Sequence, residues 1–314
     1  VLFMPIRRSM TFLHGDGRIV GDLHLPPAAT AATPVPAVVM VHGSGPVSGE
    51  LARNWEGIGS RLAAVGIAVF GYDKPGCGES SGDWTRLTFA GGAGETVAAV
   101  AAVAAQPEID AGRIGLIGGS QGGLIAPLAA NLDSTIKAIV TFAGPGMPVS
   151  VSEEYQIEAE GAAQGYTPKE IADALALYRR VLSRLRAGHT ATAVFTDEIH
   201  MLGTRAAELA EITSVRELEF FAGVADHDPV PALEKLRCPI LAIFGADDVL
   251  VPTGDSVAAY EAAFARSGHQ HHKIVVFPGA DHGIRVPDRT TGQLRRAPGL
   301  FELIAVWLVD ALRP

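Results

Sequence analysis

Cysteine is scarce in this chain: Cys77 and Cys238 are the only two in 314 residues. Two thiols make no disulfide framework, and without a CxxC pair or a Cys/His cluster no structural zinc site is expected. Charge is thin as well. At 19% charged against 48% hydrophobic residues, the composition excludes a chain too polar to bury a core. Positive charge is the scarcer sign, with 25 Lys and Arg facing 34 Asp and Glu for a formal net charge of −9. A phosphate backbone is repelled on average by such a surface, so no nucleic-acid partner is expected. No apolar run is long enough to span a bilayer. Residues 1–10 hold Pro5, Arg7 and Arg8 rather than the apolar stretch of a signal peptide, although a leader removed before Val1 would leave no trace. The expectation is a soluble, cytoplasmic protein, large enough for one α/β domain with an insertion or for two domains.

What is present has a clear rhythm. Residues 10–14 and 18–25 flank Gly15-Asp16-Gly17, the signature of a hairpin. Residues 26–36 read as a surface connection. Short continuous apolar runs then mark strands buried on both faces, at 37–41, 67–70, 114–117 and 136–142. Helical spacing fills the gaps. It covers 55–65, with Trp55, Ile58, Leu62 and Val65 on one side, then 96–105 before Pro107, and 124–132. The alternation resumes with a strand at 240–244, a helix at 255–267, a strand at 273–277 and a closing helix at 300–312. This pattern predicts an α/β fold: a mainly parallel sheet with helices on both faces and an antiparallel hairpin at one edge. Between 148 and 236 the alternation stops, and helical patterns appear at 153–164, 168–187 and 204–209. Thr167-Pro168-Lys169-Glu170 supplies an N-cap, a proline at the first helical position and a capping-box glutamate. The predicted organisation is a core of residues 1–147 and 237–314 with a helical cap at 148–236, placed over the carboxyl edge of the sheet where ligands bind in such folds.

The most informative stretch is Gly118-Gly119-Ser120-Gln121-Gly122, a G-x-S-x-G motif between a buried strand and a helical run. A serine on a tight strand-to-helix turn needs small neighbours, and the helix N-terminus favours negative charge developing beside it. A serine hydroxyl is a weak nucleophile near neutral pH, so it needs a basic histidine and an acid that fixes the histidine's tautomer. His282 follows the strand at 273–277. His269, His271 and His272 precede that strand, His14 and His24 belong to the hairpin, and His189, His200 and His227 fall in the helical block. Asp247 and Asp248 both follow the strand at 240–244, and spacing alone does not choose between them. The backbone N–H of Gln121, directly after the nucleophile, is one expected oxyanion donor. The second is assigned to Ser44, in the glycine-containing loop His42-Gly43-Ser44-Gly45-Pro46, with His42 read as a brace for that loop.

Together these residues resemble the α/β-hydrolase superfamily. The likeness extends to Tyr72-Asp-Lys-Pro-Gly-Cys-Gly-Glu-Ser80, to Gly245-x-x-Asp248-x-x-Val-Pro252 and to Gly279-x-x-His282, and covers most of the chain outside 148–236. Tyr72 to Gly78 and Gly118 to Pro127 are similar to a loop and the elbow of bacterial carboxylesterases of the serine-aminopeptidase-like branch, except that Pro75 in the loop and Gln121 in the elbow stand where that branch tends to have Arg and Glu. The resemblance implies an α/β-hydrolase fold, favours Asp248 over Asp247, and implies a triad of Ser120, Asp248 and His282. The expected activity is carboxylic-ester hydrolysis on a small-molecule substrate, with no metal and no cofactor needed. An exopeptidase or thioesterase with the same triad is the rival, and a non-catalytic binding protein of this fold is the alternative from another class. An exopeptidase needs carboxylates for a free amino group. Glu153, Glu154, Glu158 and Glu160 are candidates, and equally a solvated helix face. His42, Gly43, Trp84 and Tyr155 are candidates to line the pocket. Oligomeric state is left open, a homodimer included.

Overall fold

A computed structural model describes residues 5–198 and 203–314, so residues 1–4 and His200 of the sequence reading lie outside it. The hairpin is β1 (Ile6–His14) and β2 (Gly17–Leu25), and the doubly buried runs form β3 (Val35–Val41), β4 (Ala68–Tyr72), β5 (Ile109–Gly119) and β6 (Ile136–Phe142). Helices α1 (Gly49–Asn54), α2 (Ile58–Ala63), α3 (Phe89–Ala104) and α4 (Gln121–Leu132) lie between them. Among the described residues, six helices lie between β6 and the next strand: α5 (Val149–Ala163), α6 (Pro168–Arg186), α7 (Ala191–Glu198), α8 (Arg205–Leu209), α9 (Val215–Val224) and α10 (Val230–Lys235). The alternation then returns with β7 (Ile240–Gly245), α11 (Thr253–Ser267), β8 (His272–Phe277), a small hairpin of β9 (Arg285–Pro287) and β10 (Leu294–Arg296), and α12 (Leu300–Ala311).

The eight-stranded sheet runs β1-β2-β4-β3-β5-β6-β7-β8. Pairing is antiparallel for β1 with β2 and β2 with β4, and parallel from β4 onward. Central strands rich in Val and Ile are buried on both faces because helices cover both, which is why they read as unbroken apolar runs. One apolar cluster packs α3, α4 and α11 on one face; the other packs α2 and α12 on the opposite face. Helices α5 to α9 carry an apolar cluster of their own, including Ile157, Leu177, Val181 and Val194. The capping box at Thr167 is formed, with Glu170 Oε2 accepting from the Thr167 backbone N–H at 2.7 Å. Among the described residues, no helix is long and apolar enough to cross a membrane.

The structure departs from the periodicity in several places: α1, α7, α9 and α10 were not expected, and β5 starts at Ile109 rather than 114. The helix expected at 55–65 is confined to α2, after a 3-10 turn at Trp55–Gly57 that separates it from α1 and in which Trp55 and Glu56 take positive φ. Its cause is tertiary: the Trp55 indole stacks on Phe142 at 4.3 Å, and Arg296 grips the Glu56 carboxylate at 2.7 and 2.8 Å. Val65, expected on the buried side, is 47% exposed. Helix α3 begins at Phe89, seven residues before the expected start, with Thr88 capping the Gly91 N–H at 3.0 Å. Gly91, Gly92 and Gly94 hide that first turn from a propensity reading. The β9–β10 hairpin was not expected.

Candidate active site

Ser120 sits between β5 and α4 with φ 53° and ψ −122°, a conformation that costs a non-glycine residue about 1–3 kcal/mol and is held by what surrounds it. The surroundings are close. A Cβ on Gly118 would collide with the carbonyl of Gly122, and one on Gly122 with the carbonyl of Val41. Those glycines let β3, β5 and α4 converge at the turn. Gln121 is the first residue of α4, where a backbone N–H has no intrahelical acceptor.

The two aspartates that follow β7 separate cleanly. Asp247 is exposed, whereas the Asp248 side chain is 0% exposed. Asp248 Oδ1 accepts the N–H groups of Leu250 at 2.8 Å and Val251 at 3.0 Å, while its Oδ2 meets His282 Nδ1 at 2.9 Å. Donation from Nδ1 to the carboxylate leaves Nε2 of His282 as a lone-pair nitrogen. Ser120 and His282 line one cavity of about 230 Å³, together with His42, Gly43, Trp55 and Phe142. No hydrogen bond joins the Ser120 hydroxyl to His282 among the described residues. Such contacts are commonly loose before substrate binds.

The loop after β3 is fixed by a residue the sequence reading gave no role. Lys74 is buried, and its Nζ donates to the carbonyls of Gly43 at 2.8 Å and Gly45 at 3.1 Å while lying 5.0 Å from the centre of the Trp84 ring. Burial pulls its ammonium down to about 8. The only signal in the sequence was its place in the 72–80 motif, which does not say what Lys74 reaches. Asp73 orders the same motif, accepting from Gly49 N–H at 2.7 Å, Glu79 N–H at 2.9 Å and Arg53 Nε at 3.1 Å. His42 packs edge-on against Tyr72 at 4.6 Å, and burial, with Lys74 beside it, lowers its pKa to about 3. It is therefore neutral, and its buried Nε2 has no hydrogen-bond partner among the described residues.

His42 and Gly43 thus border the cavity that holds Ser120, and Trp84 and Tyr155 do not. Trp84 lines a second cavity on the other side of the loop, along with Ser44. Tyr155 on α5 donates its hydroxyl to the Asp248 carbonyl at 2.8 Å, tying the helical segment to the acid's loop. Of the four glutamates at 153–160, only Glu153 faces that second cavity; Glu154 pairs with Arg179, and Glu160 accepts from Gln156 and Gln164. Among the described residues, no group of three or more His, Cys, Asp or Glu is arranged to hold a metal ion.

Residues 38–292 match a sequence-family model described as the alpha/beta hydrolase family. No curated protein sequence matches the chain. Among solved structures, DcsB in complex with its substrate analogue superposes with a TM-score of 0.65 at 18% identity, over 98% of this chain and 100% of that one. Est1E from Butyrivibrio proteoclasticus, with ferulic acid bound, gives a TM-score of 0.59 at 18% identity, over 96% of each chain. A Mycobacterium tuberculosis puromycin-hydrolyzing peptidase gives 0.62 at 18% identity, over 98% of this chain and 40% of that one. At such identities the likeness is one of fold.

Proposed function

The chain belongs to the alpha/beta hydrolase family, and from that premise we propose that it is a serine hydrolase cleaving carboxylic esters through an acyl-enzyme. The observation that supports this most is the hydrogen bond from His282 to the buried Asp248, beside a cavity shared by His282 and the strained Ser120. In this reading Ser120 Oγ attacks the ester carbonyl while His282 Nε2 takes the hydroxyl proton. Asp248 holds the Nδ1 proton and stabilises the imidazolium. The N–H groups of Ser44 and Gln121 receive the charge that develops on the carbonyl oxygen; losing one such donor typically costs about 3 kcal/mol of barrier stabilisation. His282 then hands its proton to the departing alcohol and activates the water that releases the acyl group. Helices α5 to α9 act as a cap over the site, while α10 packs with the core.

Labelling with a serine-directed fluorophosphonate tests the assignment. Modification is expected at Ser120, and Ser120→Ala should lose at least about a thousandfold of p-nitrophenyl acetate turnover. Modification elsewhere, or undiminished turnover in that variant, refutes it.

A further inference from the structure

The cap and the core enclose a second cavity, of about 390 Å³, whose core-side wall is Ser44, Gly45 and Pro46. It adjoins the Ser120 cavity through one loop, since Gly43 and Val47 face that cavity. Its lining combines aromatic faces, Trp84, Tyr178 and Phe220, with three carboxylates, Glu153, Glu211 and Glu217. Neutral donors serve two of the carboxylates: Gln156 Nε2 lies 3.1 Å from Glu211, and the Ser214 and Thr213 hydroxyls donate to Glu217. Glu153 has no hydrogen bond and no ion pair among the described residues, although it is partly buried and faces the cavity. Basic groups nearby are engaged elsewhere: Arg179 with Glu154, Arg216 with Asp83, and Lys74 with the carbonyls of Gly43 and Gly45.

A partly buried carboxylate crowded by like charges and without a counter-charge is unfavourable. Burial, with Glu211 and Glu160 adding repulsion, lifts the Glu153 carboxyl to about 7. An arriving cation removes both penalties, and aromatic faces attract the same ligand through their quadrupoles. A concave, mostly apolar cavity with a few converging polar groups is also the ordinary form of a small-molecule site. We propose that this cavity binds an organic ammonium group of the substrate, with Glu153 as its counter-ion. This deepens the serine-hydrolase reading and rests on it. The ammonium is carried by the acyl half or the alcohol half of the ester, and the two sources share the same recognition chemistry.

Two matched substrate pairs separate the sources. One sets the p-nitrophenyl ester of an ω-amino acid against the alkanoate of equal length; the other sets butyrylcholine against its uncharged dimethylbutyl analogue. The wild-type protein is expected to favour the cationic member of one pair by at least about tenfold in kcat/KM, and Glu153→Gln should bring that ratio close to one. A wild-type ratio near one in both pairs, or a preference that survives Glu153→Gln, overturns the proposal. A second readout needs no turnover: calorimetric binding of benzyltrimethylammonium to Ser120→Ala protein, with and without Glu153→Gln. Binding weakened at least about tenfold by the second substitution supports the subsite even where no ester is hydrolysed. Absent or undiminished binding sinks it and leaves the reading of Ser120 untouched.

Discussion

A trans peptide points its carbonyl and its following N–H in opposite directions. By holding the Gly43 carbonyl at 2.8 Å, Lys74 therefore also aims the Ser44 N–H, the second expected oxyanion donor. Replacing the ammonium by a methyl-capped chain of similar length removes that control and leaves two inward carbonyls without their donor. Lys74→Met is expected to lower kcat about tenfold to a hundredfold while KM stays within about twofold, because the lost alignment matters where charge develops. A fall confined to KM refutes this role. The choice of proposed acid belongs to the same scale. Asp247 and Asp248 were indistinguishable by spacing, since both follow β7 and only the path of the loop separates them. That path puts the Leu250 and Val251 N–H groups on Asp248 and leaves Asp247 in water. Asp248→Asn should cut kcat by about a thousandfold to ten-thousandfold and Asp247→Asn by less than about twofold. Comparable losses in the two variants would remove the distinction.

Elements that declared themselves in the sequence are those whose residues answer to local periodicity. The strand at Ile136–Phe142 fills its expected range, and the strands and helices at the nucleophile and around β7, α11 and β8 lie within a few residues of it. The candidate site residues could be proposed for the same reason: Ser120, Asp248 and His282 each follow a strand that announces itself as an apolar run. What could not be read depends on distant partners. The break after α1 exists because Phe142 and Arg296 reach Trp55 and Glu56 from far along the chain, and the β9–β10 hairpin is too short to show alternation. Arg296 links these hidden pieces: it bonds Glu56, lies 4.7 Å from the centre of the Trp55 ring and donates to the carbonyl of Gly283, next to His282. Arg296→Met is expected to destabilise the fold by about 1–3 kcal/mol, through the orphaned carbonyl and the lost partly buried pair. It should also lower kcat, because the loop carrying His282 loses its tether. Urea unfolding and steady-state kinetics check both, and a variant with unchanged midpoint and kcat refutes the link.

Seen as a whole, the molecule buries ionisable groups beside its apolar clusters, and they make stability depend on pH with opposite signs. His42, lowered to about 3, is neutral in the folded chain, so its contribution is lost as pH falls from the ordinary histidine value of 6.5. Glu95, 3% exposed on α3, works the other way. Burial pushes its carboxyl up to about 7, so the folded chain keeps a proton that the unfolded chain has released above about 4.5. Stability from that proton is complete below the unfolded value and drains away as pH rises through the folded one. An amide at this position would keep the shape and hold no titrating proton, so the pH dependence of Glu95 appears in the difference between Glu95→Gln and wild type, where the histidine contribution cancels. Relative to wild type, Glu95→Gln is expected to gain roughly 2–3 kcal/mol between about pH 4.5 and 7.5. Higher pH is avoided because Lys74, lowered to about 8, begins to lose its own proton there. Urea unfolding of both proteins across that range gives the difference curve directly. A curve that is flat, or that falls with rising pH, would mean that Glu95 is ionised in the folded protein as readily as in the unfolded one.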